Sequence, residues 1–168
     1  MMDFLFNPHG RISRKGFLVA YLAPYLFLVY IVGPMFAGLG LSILQVLIGL
    51  FLLWPNLVAV PVKRFHDMGA SGWYQAGIVG LQILAGIIIA RGLSDAGVLP
   101  TAGDAGTFVE QQRLMVEQIG NAPHAQLGMV LWMLVGLAQT ALFAFVRGVP
   151  GKNRYGDDPL QTESGFGT

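Results

Sequence analysis

No cysteine occurs in the 168 residues, so disulfides, thiolate catalysis and Cys-based zinc sites are excluded. Charge is scarce as well. Asp, Glu, Lys and Arg make up 11% of the chain, against roughly a quarter in ordinary soluble domains. Apolar residues reach 54%. A water-soluble fold needs more polar surface than this, so the composition indicates an integral membrane protein about one domain long. The formal net charge is only +1 and no dense basic stripe is present, so nucleic acid is not an expected partner. No recognised ligand spacing links His9, His66, Asp157 and Asp158, and neither a metal nor another cofactor is expected.

What the chain has in quantity is long apolar sequence. Four runs, about 17–36, 41–62, 74–90 and 125–146, contain no Asp, Glu, Lys, Arg or His. Each is near the roughly twenty residues that an α-helix needs to cross a hydrocarbon core of ~30 Å. The fold expected is all-α, a four-helix transmembrane bundle. The first run follows about sixteen polar and turn-rich residues and is too long for a signal-peptide core, so it reads as an uncleaved span. Pro24 predicts a kink in the first span and Pro34 its end, while Pro55 and Pro61 bend or stop the second. Gly38-Leu39-Gly40 is a tight turn. Small residues Ala76, Gly77, Gly80 and Gly86 predict close helix approach in the third span, the shortest of the four. Ala76 and Gly80 have small-xxx-small spacing. In the long loop 91–124, Thr107 and Glu110 form a capping box ahead of a short surface helix over about 108–119.

Four spans leave residues 1–16, 63–73 and 147–168 on one side. Eight of the ten Lys and Arg residues fall there: Arg11, Arg14, Lys15, Lys63, Arg64, Arg147, Lys152 and Arg154. Only Arg91 and Arg113 fall on the other side. Basic segments resist translocation, so this split predicts cytoplasmic N- and C-termini and a cytoplasmic 63–73 loop. The 91–124 loop is then periplasmic. The aromatic start, residues 1–16, reads as an interfacial segment, with Ser13 placed to cap the first span. Proton pumps and ion-coupled carriers need ionisable groups within the membrane, and their absence from the spans argues against transport. Gln45, Asn56, Gln82 and Gln139 read as interhelical hydrogen bonders.

The unusual residue combinations all lie on the cytoplasmic side. They are Gly10-Arg11-Ile12-Ser13-Arg14 before the first span, Arg64-Phe65-His66-Asp67-Met68-Gly69-Ala70-Ser71-Gly72-Trp73 after the second, and Asn153-Arg154-Tyr155-Gly156-Asp157-Asp158-Pro159 after the last. In order and spacing this set resembles the domain of unknown function 805 family of bacterial inner-membrane proteins. The resemblance covers most of the chain and implies a small polytopic inner-membrane (plasma-membrane) protein. It implies no reaction. The chain departs from the family pattern at Leu18 and Ala70 and in its long 91–124 loop.

The three segments admit several functions. Arginine forks bind phosphate oxygens in pairs, so the leading expectation is a site for an anionic lipid headgroup or a protein partner. Its residues would be Arg11, Arg14, Arg64, His66, Asp67, Ser71, Trp73, Asn153 and Arg154, helped by the backbone N–H groups of Gly69 and Gly72. The plainer reading is an ion-pair network in which Asp67 pairs with Arg11, Arg14 or Arg154. The alternative is a membrane-embedded enzyme acting on a lipid phosphate through His66 and Asp67 as an acid–base pair. Adjacent residues seldom reach each other in dyad geometry, and no Ser or Cys nucleophile motif accompanies them.

Overall fold

The computed structural model describes residues 2–97, 113, 116, 117 and 120–163. A short helix α1 (Met2–Phe6) precedes four long ones. Helix α2 runs over Gly16–Phe36. Helix α3 joins Ser42–Trp54, Pro55–Ala59 and Val60–Asp67 into one rod. Helices α4 (Trp73–Asp95) and α5 (Pro123–Phe145) follow, and a short α6 (Pro159–Glu163) ends the described chain. Among the described residues there is no β-strand. Four helices are long and apolar enough to span a membrane. The surface helix expected over 108–119 lies largely outside the described residues.

The prolines neither end α2 nor end α3. Wide turns precede three of them: Gly16–Leu22 lies before Pro24, Leu28–Val32 before Pro34, and Pro55–Ala59 before Pro61. In each case the residue just before the proline donates to the carbonyl five residues back: Ala23 to Leu18, Gly33 to Leu28, Val60 to Pro55. A proline ring lacks an N–H and clashes with the carbonyl four residues behind it. Widening the turn by one residue relieves that clash without breaking the rod. The Leu57 carbonyl, which Pro61 cannot serve, accepts from Gln75 Nε2 at 2.8 Å. Gln139 Nε2 in turn donates to Gln75 Oε1 at 2.9 Å, so α3, α4 and α5 are tied by one amide chain.

Two consequences follow for the site. Helix α3 continues through Lys63–Asp67, so five residues expected in a loop form its last turns and only Met68–Gly72 connect it to α4. Positive φ at Gly69 (75°) lets that connection turn sharply. Helix α4 likewise extends past Arg91 to Asp95, making it 23 residues long rather than the shortest span.

Helices α4 and α5 pack at Ala85, Gly92, Ala125 and Gly128, which are all buried. A Cβ on Gly128 would lie 2.8 Å from the Ala85 carbonyl, so the helix backbones touch there. Gly77 and Gly80, expected to provide this contact, have open space around them. Small residues permit close approach only on the face that meets the neighbouring helix.

An aromatic core closes one end of the bundle. Phe143 of α5 stands edge-on to Phe17 (5.4 Å) and to Phe65 (5.1 Å). Ile12, Tyr21 and Val60 complete this cluster. Tyr21 donates to Asn56 Oδ1 at 2.9 Å, fixing α2 to α3. Gln82 keeps a buried side-chain oxygen without a partner among the described residues, and the Gln45 side chain lies outside them. Helix α1 packs on α3: the Trp54 indole donates to the Phe6 carbonyl at 2.9 Å, and Lys63 Nζ to the Phe4 carbonyl at 2.8 Å.

Candidate functional site

The three polar segments meet directly above the aromatic core. Asp67, in the last turn of α3, holds their centre. Its Oδ2 accepts from Arg64 at 2.6 Å, and its Oδ1 accepts from Arg11 Nε at 3.2 Å and NH2 at 3.1 Å. The backbone locks the same junction, because Val149 N–H donates to the Asp67 carbonyl at 2.8 Å.

Arg64 is fully buried. Its three guanidinium nitrogens are all engaged: Nε donates to the Phe143 carbonyl at 3.0 Å, NH1 to Asp67, and NH2 to the Val146 carbonyl. It therefore caps the C-terminal end of α5, where free carbonyls and the helix dipole favour a cation. Arg11 plays the matching part for the tail. Its NH1 donates to the Gly151 carbonyl at 2.6 Å and its NH2 to the Val149 carbonyl at 2.5 Å. Removing either partner of such a buried pair leaves a charge uncompensated, at a cost of about 3–5 kcal/mol.

The tail is folded by its own turn chemistry. Asp158 accepts from Gly151 N–H at 2.8 Å and from Leu160 N–H at 3.0 Å. These two bonds hold its carboxyl below the usual carboxylate range. Asn153 donates to the His66 carbonyl at 3.0 Å. Tyr155 stacks on the His66 ring at 3.8 Å and 6°, and the Arg154 guanidinium lies 4.6 Å from the centre of the Tyr155 ring. His66 Nδ1 is 3.2 Å from the Gly10 carbonyl. Ser13 accepts from Gly16 N–H at 3.0 Å and caps α2 as its position predicts.

The expected site residues thus belong to one cap but not to one pocket. Arg64 and Asp67 are its buried frame. Arg11, Arg14 and Asp67 line a cleft of about 290 Å³ together with Ser13, Lys15 and Arg147. His66, Ser71 and Trp73 line a separate groove on the other side of the α3 end, with Tyr155. Asn153 and Arg154 position the tail around His66. His66 and Asp67 make no hydrogen bond to each other: the imidazole faces Gly10 and Tyr155, while both carboxylate oxygens face arginines. Among the described residues no group of three His, Asp or Glu side chains is gathered as metal ligands would be.

Four contributors were not singled out by residue type and spacing. Lys15 and Arg147 each flank a span, and that position carried only a topological reading. Gly148, which also lines the basic cleft, and Tyr155 lie beside residues that attracted notice for other reasons. Tyr155 stands within the Asn153–Pro159 motif, and membership of that motif was the available signal.

Four membrane-length helices closed at one end by an interlocked polar cap define a multi-pass α-helical membrane protein. The chain belongs to the family described as protein of unknown function DUF805, whose model matches residues 5–157. That stretch takes in every residue of the Arg11–Asp67–Arg64 frame. No curated protein and no solved structure matches the chain.

Proposed function

We propose that this is a non-enzymatic protein of the inner membrane, with both termini cytoplasmic, whose cap holds an anionic lipid headgroup in the cleft beside Arg11. The observation that carries this reading is the charge left over in the cleft. Four cations and two carboxylates line it. Asp67 is neutralised by Arg11 and Arg64 and Asp158 is satisfied by backbone donors. Arg14, Lys15 and Arg147 are exposed and make no hydrogen bond or ion pair among the described residues. Cations held at the membrane surface attract anionic lipid, at ~1 kcal/mol each. A cleft lined by three of them gathers that attraction around one space.

The test uses purified full-length protein in nanodiscs containing an anionic phosphoglycerol lipid. Arg14→Gln/Arg147→Gln is expected to lower retention of that lipid roughly tenfold or more while the melting temperature stays unchanged. Retention equal to that of the wild type overturns the reading. Hydrolysis of a lipid phosphate through His66 and Asp67 has no comparable support, since both oxygens of Asp67 are engaged with arginines.

A further inference from the structure

The groove between α3 and α4 has a different chemistry from the basic cleft. It encloses about 580 Å³ and its walls are mostly apolar, with Leu57, Val58 and Val62 from α3 facing Ala76 and Val79 from α4. Its head is polar, formed by His66, Ser71 and Trp73. Trp73 is 84% exposed at the start of a membrane-length helix, the position where indoles mark the headgroup layer. A trough with an apolar body and a polar mouth at that level fits one acyl chain and its headgroup.

The mouth has a defined polarity. Imidazole Nδ1 faces the Gly10 carbonyl, which can only accept, so in the neutral ring Nδ1 carries the proton and Nε2 presents a lone pair. The Tyr155 stack fixes the ring plane and with it the direction of that lone pair. Nε2 points toward Gly72, where an added Cβ would lie 3.1 Å away, so the absence of a side chain keeps it uncovered. Among the described residues nothing donates to Nε2. Around this acceptor stand groups of opposite character. The Ser71 hydroxyl and the Trp73 indole, both on the groove lining, are hydrogen-bond donors. One acceptor flanked by donors complements a zwitterion, with an N–H group at His66 and a phosphate at the Ser71 and Trp73 donors.

We infer that the α3–α4 groove is a second lipid site, selective for a phospholipid whose headgroup nitrogen bears hydrogens, as in an ethanolamine phospholipid. The inference is independent of the Arg14–Lys15–Arg147 cleft and rests on different residues. A choline headgroup matches the phosphate and the charge but has no N–H to donate, which makes it the informative competitor. One hydrogen bond to an otherwise unsatisfied acceptor is worth roughly a five- to tenfold preference.

The experiment is native mass spectrometry of the full chain, delipidated and then exposed to an equimolar mixture of ethanolamine and choline phospholipids with identical acyl chains. Wild-type protein is expected to retain the ethanolamine lipid about five- to tenfold over the choline lipid. His66→Phe, which keeps a flat ring against Tyr155, is expected to bring that ratio close to one. Val79→Trp, which fills the trough, is expected to reduce retention of both. Anionic phosphoglycerol lipid, measured in parallel, is expected to follow Arg147→Gln and not His66→Phe, so the two sites fail separately. A wild-type ratio near one overturns the inference without recourse to any variant. So does a dimer that shows no headgroup preference, which would assign the groove to a second copy of the chain.

Discussion

The carboxylate of Asp67 rests directly on the backbone of Gly148, with no space between them for a methyl group. All three nearest atoms to a Cβ built at 148 belong to that carboxyl. Gly148 is therefore part of the charge network even though it bears no charge. Gly148→Ala is expected to displace Asp67 from Arg11 and Arg64 and to destabilise the protein by about 3 kcal/mol or more, the scale of breaking a buried ion pair. Unfolding in mixed detergent micelles measures this. A change below about 1 kcal/mol would mean that the junction has slack.

Arg64→Lys tests whether charge or fork geometry matters at the centre of the cap. Arg64 reaches three acceptors in three directions: the Phe143 carbonyl, the Val146 carbonyl and Asp67. A lysine ammonium keeps the charge but does not span that set. The carbonyls it abandons lie at the C-terminal end of α5, and the expected loss is about 2–5 kcal/mol. Thermal unfolding of the variant beside Arg14→Lys, which alters an exposed residue and is expected to change little, separates the two positions.

The α4–α5 contact makes an opposite pair of predictions for glycines that look alike in sequence. Gly128→Leu would drive a side chain into the Ala85 carbonyl and the Ile89 backbone, each 2.8 Å from the Cβ position. The expected cost is at least about 1–3 kcal/mol, the range for overpacking. Gly80→Ala meets nothing within 4 Å. It is expected to leave stability unchanged or raise it by up to about 1 kcal/mol through helix propensity. Melting temperatures of the two variants in one detergent decide the matter.

Orientation is accessible because the chain contains no cysteine. A single cysteine at exposed Ser94, in the last turn of α4 beyond Arg91, is expected to react with an impermeant maleimide added to intact cells. A single cysteine at Lys152, in the folded tail, is expected to stay protected until the membrane is opened. The reverse pattern would place the cap outside and remove the basis for a cytoplasmic-leaflet ligand.

Much of this architecture was legible in the chain because its causes are local or additive. A hydrocarbon core selects for length and apolarity residue by residue, so the four spans and their parity follow from counting. Parity alone places Arg11, Asp67 and Gly151 at one end of the bundle. The prolines were misleading for a physical reason. A helix can absorb a missing N–H by widening one turn and borrowing a donor such as Gln75 from its neighbour, and neither is visible around Pro34 or Pro61 in isolation.

What the sequence could not decide is which member of each residue class is consumed by the fold and which remains available. Arg11, Arg14 and Arg64 look equivalent as motif residues, yet Arg64 is sealed against two carbonyls and a carboxylate while Arg14 projects free. His66 and Asp67 are chain neighbours, yet the end of α3 turns one toward Tyr155 and the other toward Gly148. Burial, hydrogen-bond saturation and the direction of a side chain depend on residues more than fifty positions away along the chain. Those long-range contacts separate frame from cleft, and only the folded cap brings them together.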